Sequence, residues 1–207
     1  MLLLYFIVAG LLVGRLAGGR IGAVAEVKFR WWGLALGGLM VQAVLFAPPV
    51  AAQIGTAGPA LYVASTVAVL SALLRNLRMP GFAVIAVGAG LNLLALTANG
   101  GYMPSSPEAW QALNGVAALP TTHYTNSALA SSMTAFPYLG DILVLPRPLP
   151  LANVFSFGDV LIGLGAALFL VWTMRRPLAV PTLSGAAAAK RVTVGGPPAR
   201  RPGGTAR

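Results

Sequence analysis

"NVFSFGDVLIGLGAALFLVWTMRR", residues 153–176, places an aspartate at the mouth of an apolar run that two arginines close. The run between them, residues 157–174, has the length of a membrane-spanning helix, which needs about 20 apolar residues with a range of roughly 17 to 25. Asp159 has two readings. In "SFGD" the pattern is S-x-x-D ahead of an apolar helix, so Ser156 can cap the helix while Asp159 reaches back to the Ser156 N–H. The partial positive charge of the helix start favours the ionised carboxylate there. Alternatively, the carboxylate does chemistry.

Outward from this run, the composition agrees with a membrane class. Of 207 residues, 57% are hydrophobic and 9% charged, against roughly a quarter charged in a soluble domain. Four further apolar runs occupy residues 1–19, 32–47, 59–74 and 81–98. The expected fold is therefore all-α, a polytopic helical membrane protein of about five transmembrane helices. The first run lacks a basic start and an A-x-A pattern, and its charges follow the apolar stretch, so it reads as a span rather than a signal peptide. Arg15 must snorkel toward the headgroups to lengthen it.

The distribution of basic residues sets the orientation. Arg15, Arg20, Lys28 and Arg30 precede the second run, and Arg75 and Arg78 separate the third and fourth. Seven more follow the fifth run, and only Arg147 lies between the fourth and fifth. Thirteen of the fourteen basic residues thus fall on one side of a five-helix arrangement. The positive-inside rule places the N-terminus outside and the C-terminus in the cytoplasm. The net charge of +10 consequently does not point to nucleic acid. No cysteine and one histidine leave no thiolate or histidine cluster for a metal, and no cofactor is expected.

The division expected is a helical membrane domain over residues 1–176, with an external segment at 99–156, and a disordered basic cytoplasmic tail at 177–207. The bilayer is the expected partner, with anionic lipid attracted to the tail. The Gly-rich stretches "GLALGG" and "GAGLNLLALTANGG" suggest close helix packing. Gln42 and Asn92 are isolated polar residues in apolar runs, suited to hydrogen bonds between helices or to lining a path.

The external segment collects the unusual residues. "SSPEAWQAL" reads as a helix start over about residues 107–118, with Ser106 as cap, Pro107 at the first position and Glu108 beside the positive end. "NGG" at Asn99, Gly100 and Gly101 reads as a helix C-cap that also permits close backbone approach to a ligand. His123 stands among Thr, Tyr and Asn as a polar residue. Asp141 in "LGDI" falls near the same outer interface as Asp159, and "PRPLP" can fold the chain back between them. Two carboxylates brought together can share a proton and act as acid and base. Alternatively, Arg147 pairs with one of them as a structural clamp. Glu26 lies among basic residues, where ordinary charge pairing suffices.

The ordered set "ANGGYMP", "LGDI" and "FSFGDVLIGLG", with "FRWWGLALGGLMVQ" earlier, resembles the bacterial domain-of-unknown-function family 5317 over residues 1–174. That resemblance implies a small multi-pass protein of the bacterial cytoplasmic membrane and supplies no catalytic residues. "NGG" and "FSFGD" are also similar in order and placement to motifs of signal peptidase II, the lipoprotein signal peptidase. Two outer-face aspartates are catalytic in that family. "YLGDILV" lacks the Asn and Arg that flank the family's first aspartate, and the helix count differs. The expected function is thus an outer-face acidic site binding a lipid, small ligand or partner. Asp141 and Asp159 are the catalytic candidates if it is instead a hydrolase, and a small transporter is the third reading. The balance lies against an enzyme.

Overall fold

All five apolar runs are helical in the computed structural model, which describes residues 2–51, 53–115 and 127–176. They form α1 (Leu2–Leu16), α3 (Trp32–Leu45), α5 (Ala57–Leu74), α6 (Phe82–Ala98) and α8 (Phe157–Met174). Short α2 (Gly22–Ala25), α4 (Pro48–Ala51) and α7 (Pro107–Asn114) lie in the connections. Both α5 and α8 have 18 residues and are apolar enough to cross a membrane. At about 1.5 Å per residue such a helix covers about 27 Å, close to the roughly 30 Å of a bilayer's hydrocarbon core. The apolar helices α1, α3 and α6 are shorter. Only 17% of α5 and 33% of α8 is buried inside the protein, and Leu61, Val67, Leu164 and Trp172 face outward.

Glycine sets the helix spacing. A Cβ on Gly10 would stand 2.8 Å from the Ala167 backbone, and one on Gly14 would stand 2.7 Å from Met174 Sδ, so α1 lies against α8 in parallel. On the other face of α8, antiparallel α6 brings Gly88 onto the Gly158 carbonyl and Gly81 onto that of Gly165. The second seam joins α3 to α5. There Gly38 sits where a Cβ would meet Ser65 O at 2.8 Å, Gln42 donates to Thr66 Oγ1 at 3.2 Å, and Phe46 meets Tyr62 edge-on. Gly38 and Gly88 thus fulfil the close packing expected of their stretches, while Gly37 and Gly90 face open space.

These contacts sort the chain into two ends. Tyr5 Oη donates to Pro150 O at 2.6 Å, which ties the start of α1 to the turn before α8. At the opposite end, Arg20 N donates to Met174 O at 2.8 Å. Asn76 joins that end by donating to Arg30 O at 2.7 Å and accepting from Arg30 N at 2.9 Å. Glu26 pairs with Arg20 there at 3.8 Å, the ordinary charge pairing expected of it.

The all-α expectation is corrected in the segment between α6 and α8. There β1 (Met103–Ser105) pairs in parallel with β2 (Ser127–Leu129), and β3 (Leu143–Leu145) pairs antiparallel with β4 (Asn153–Phe155). Strands of three residues are too short to show an alternating pattern. Helix α7 begins as expected, with Ala109 N donating to Ser106 Oγ at 3.1 Å. It ends at Asn114, where Gly115 takes a φ of +88°. The end expected for this helix, His123 and the basic tail at 177–207 lie outside the described residues.

Candidate functional site

Where α8 begins, the capping box forms as the S-x-x-D pattern predicts. Asp159 N donates to Ser156 Oγ at 3.0 Å, and Ser156 N donates to Asp159 Oδ2 at 3.1 Å. The structure adds a third member. Asn92 of α6 donates to Asp159 Oδ1 at 2.8 Å and accepts from Ser156 Oγ at 2.8 Å. Ser156 is fully buried, so this ring replaces the water its polar atoms give up. Gly158 leaves the room, because a Cβ there would collide with Asn92 Oδ1. Both oxygens of Asp159 are thereby engaged, and the carboxylate bolts α8 to α6.

Asp141 is held differently. Its backbone N–H donates to Pro104 O at 2.8 Å and its carbonyl accepts from Ser106 N at 3.0 Å, which fixes it beside β1. Its carboxylate accepts a long 3.5 Å contact from Ser105 Oγ. Burial first and the Asp159 charge second push the Asp141 carboxyl up to about 7, with the Ser105 hydroxyl opposing both. Glu108 differs again: it is exposed on α7, and the Ser106 hydroxyl holds it below the usual carboxylate range.

The two aspartates line one cleft of about 180 Å³ with Tyr62, Thr66, Asn92 and Asn153. They share no hydrogen bond with each other. Among the described residues no Lys or Arg lines this cleft. Drug-sized ligands occupy pockets of roughly 300–1,000 Å³, so this space suits a small group.

The other residues singled out in the sequence lie elsewhere. Asn99 caps α6 and holds the segment between α6 and α8, donating to Ala95 O and Ala135 O and accepting from Ala135 N at 3.0 Å. Gly100 and Gly101 carry φ values of +68° and +90°, and Gly101 N donates to Leu96 O at 2.8 Å. These three form the C-cap reading of "NGG" and do not line the cleft. The Arg147 clamp is corrected: exposed Arg147 meets Asn114 Oδ1 at 3.4 Å and neither aspartate. Its turn carries it to the side facing α7. Tyr62, Thr66 and Asn153 escaped the sequence reading. Tyr62 and Thr66 are one helical turn apart on α5, a two-residue polar stripe too brief to stand out of an apolar run.

The sequence model of a family described as "Family of unknown function (DUF5317)" matches residues 26–171. That span contains all the cleft residues, and α1 precedes it. An uncharacterized protein of Thermotoga maritima is 32% identical over 115 residues, 51% of this chain. The match covers 61% of that relative, less than two thirds of its length. No solved structure matches the chain.

Proposed function

The chain belongs to the family of unknown function DUF5317, and from that premise we propose a five-span protein of the bacterial cytoplasmic membrane whose outer-face cleft holds a small cationic group. Five apolar helices in alternating directions support the span count. The orientation follows from charge. Arg20, Lys28, Arg30, Arg75, Arg78, Arg175 and Arg176 belong to one end and Arg147 to the other, which supports an external cleft end.

The observation that carries the ligand class is two carboxylates around one small cleft with no Lys or Arg among its described lining residues. A bound ammonium would supply the missing charge and donate to Asp141, whose carboxylate is the less engaged. Asn153, Thr66 and Tyr62 offer further polar atoms. Above pH 7 the Asp141 carboxylate is ionised and attracts the cation, and below it the proton competes. Calorimetric titration of the detergent-purified chain with methylammonium tests this. Saturable binding at pH 8, weaker at pH 5 and reduced about 10- to 100-fold by Asp141→Asn, is expected for a charge-assisted contact. Equal binding by Asp141→Asn, or none by the wild type, overturns it.

One observation favours the hydrolase reading: both aspartates border the same cleft, which has room for a water, and the Asp141 carboxyl is raised to about 7. The capping ring on Asp159 counts against it, because both of its oxygens already accept hydrogen bonds that join α6 to the start of α8. Turnover of a membrane-anchored peptide, lost in both Asp141→Asn and Asp159→Asn, would move the assignment to hydrolysis. The transporter path needs Gln42 and Asn92 to face one cavity, but Asn92 lines the cleft while Gln42 is not among its described lining residues and donates to Thr66.

A further inference from the structure

At the end opposite the cleft, a second cavity of about 340 Å³ opens between the loop before α3 and the loop after α5. Lys28, Arg30, Arg75 and Arg78 surround it, and Asn76 forms part of its wall. Among the described residues the one ion pair is Arg20–Glu26, so none of these four cations has a carboxylate partner. Like charges held together cost free energy unless an anion joins them. The cavity is also built. Asn76 is 3% exposed, and its amide bonds to the Arg30 backbone in both directions and to Ala72 O at 2.7 Å. It staples the two loops and sets the spacing of their charges.

We propose that this cavity binds the phosphate of an anionic phospholipid headgroup. The shared chemistry is a phosphate oxyanion, and the surroundings favour the lipid over a free phosphate. Trp31 and Trp32 follow Arg30 and are 55% and 65% exposed, as in the aromatic belt at a membrane interface. Leu74 and Leu77 line the same cavity and are exposed beside it, offering apolar surface to the glycerol and acyl chains. Basic pockets between spanning helices on the cytoplasmic side take such headgroups. The proposal does not depend on the outer cleft, since the two sites lie at opposite ends of the bundle.

The test is lipid binding to the full chain in neutral detergent, measured by thermophoresis with a short-chain phosphatidylglycerol. Phosphatidylcholine and inorganic phosphate serve as the other probes. Arg75→Gln/Arg78→Gln removes two cavity charges, and Arg200→Gln/Arg201→Gln removes two from the tail. Both Arg75 and Arg78 are exposed, so the first variant keeps the wild-type melting temperature. Phosphatidylglycerol is expected to bind saturably, and the cavity variant to weaken it roughly 30-fold, about 2 kcal/mol for two charges. The tail variant is expected to change it by less than about threefold. Equal weakening by both variants overturns the site in favour of diffuse attraction. Equal binding of phosphatidylcholine overturns the anionic class. Inorganic phosphate binding as tightly as the lipid overturns the headgroup assignment.

Discussion

Replacing Asp159 by alanine breaks two bonds of different kinds. The Ser156 N–H loses its acceptor at 3.1 Å, and a cap is worth typically about 1 kcal/mol. The Asn92 amide loses its acceptor at 2.8 Å, a charge-assisted bond of about 1.5–3 kcal/mol. The expected loss is therefore about 3 kcal/mol in unfolding free energy, measured by denaturant titration in mixed micelles. Asp159→Asn retains oxygen and costs about 1 kcal/mol, the charge contribution alone. Asn92→Ala completes a double-mutant cycle. Its coupling to Asp159→Ala should lie between about 1 and 2 kcal/mol, because each single change already removes the same interhelical bond. An Asp159→Ala protein within about 0.5 kcal/mol of wild type, or additive single losses, would refute the view that this carboxylate bolts α8 to α6.

Asp141 behaves oppositely. Its folded pKa of about 7 lies above the ordinary 3.8, so its protonated form favours folding. That contribution is complete below pH 4 and is lost as pH rises through 7. Three units correspond to about 4 kcal/mol, and Asp141→Asn should flatten the pH profile and raise the melting temperature at pH 8. Gly88→Val should cost about 1–3 kcal/mol by forcing α6 off the Gly158 carbonyl. Gly90→Ala, facing open space, should be neutral or stabilising in the same unfolding assay. Asn76→Ala strands the Arg30 backbone groups and should cost about 2 kcal/mol.

Much of the scaffold was legible in the sequence because apolar runs carry their own signal. The bounds of α8 match the expected run, and those of α3, α5 and α6 differ by at most two residues. The Ser156–Asp159 and Ser106 caps were also legible, since capping is local chemistry over three residues. The site was legible only in part. That Asp141 and Asp159 border one cleft depends on how β1 seats Asp141, a pairing between residues far apart in the chain. Asn92 announced an interhelical hydrogen bond, but nothing local named Asp159 as its partner. Arg147 misled because opposite charge suggested a pair, whereas its turn places it beside Asn114. The cavity at the far end was visible as a list of basic residues. Its shape depends on Asn76, whose role is wholly tertiary.

The chain contains only two aspartates, Asp141 and Asp159, and this permits a direct test of the cleft they line. Aspartate labelled at the side-chain carboxyl carbon gives two NMR resonances, and Asp141→Asn identifies which is which. The account predicts an Asp141 resonance with a midpoint at about 7 that moves to lower pH when methylammonium is added, because a bound cation favours the ionised form. An Asp141 midpoint in the ordinary aspartate range, unmoved by the cation, would contradict it.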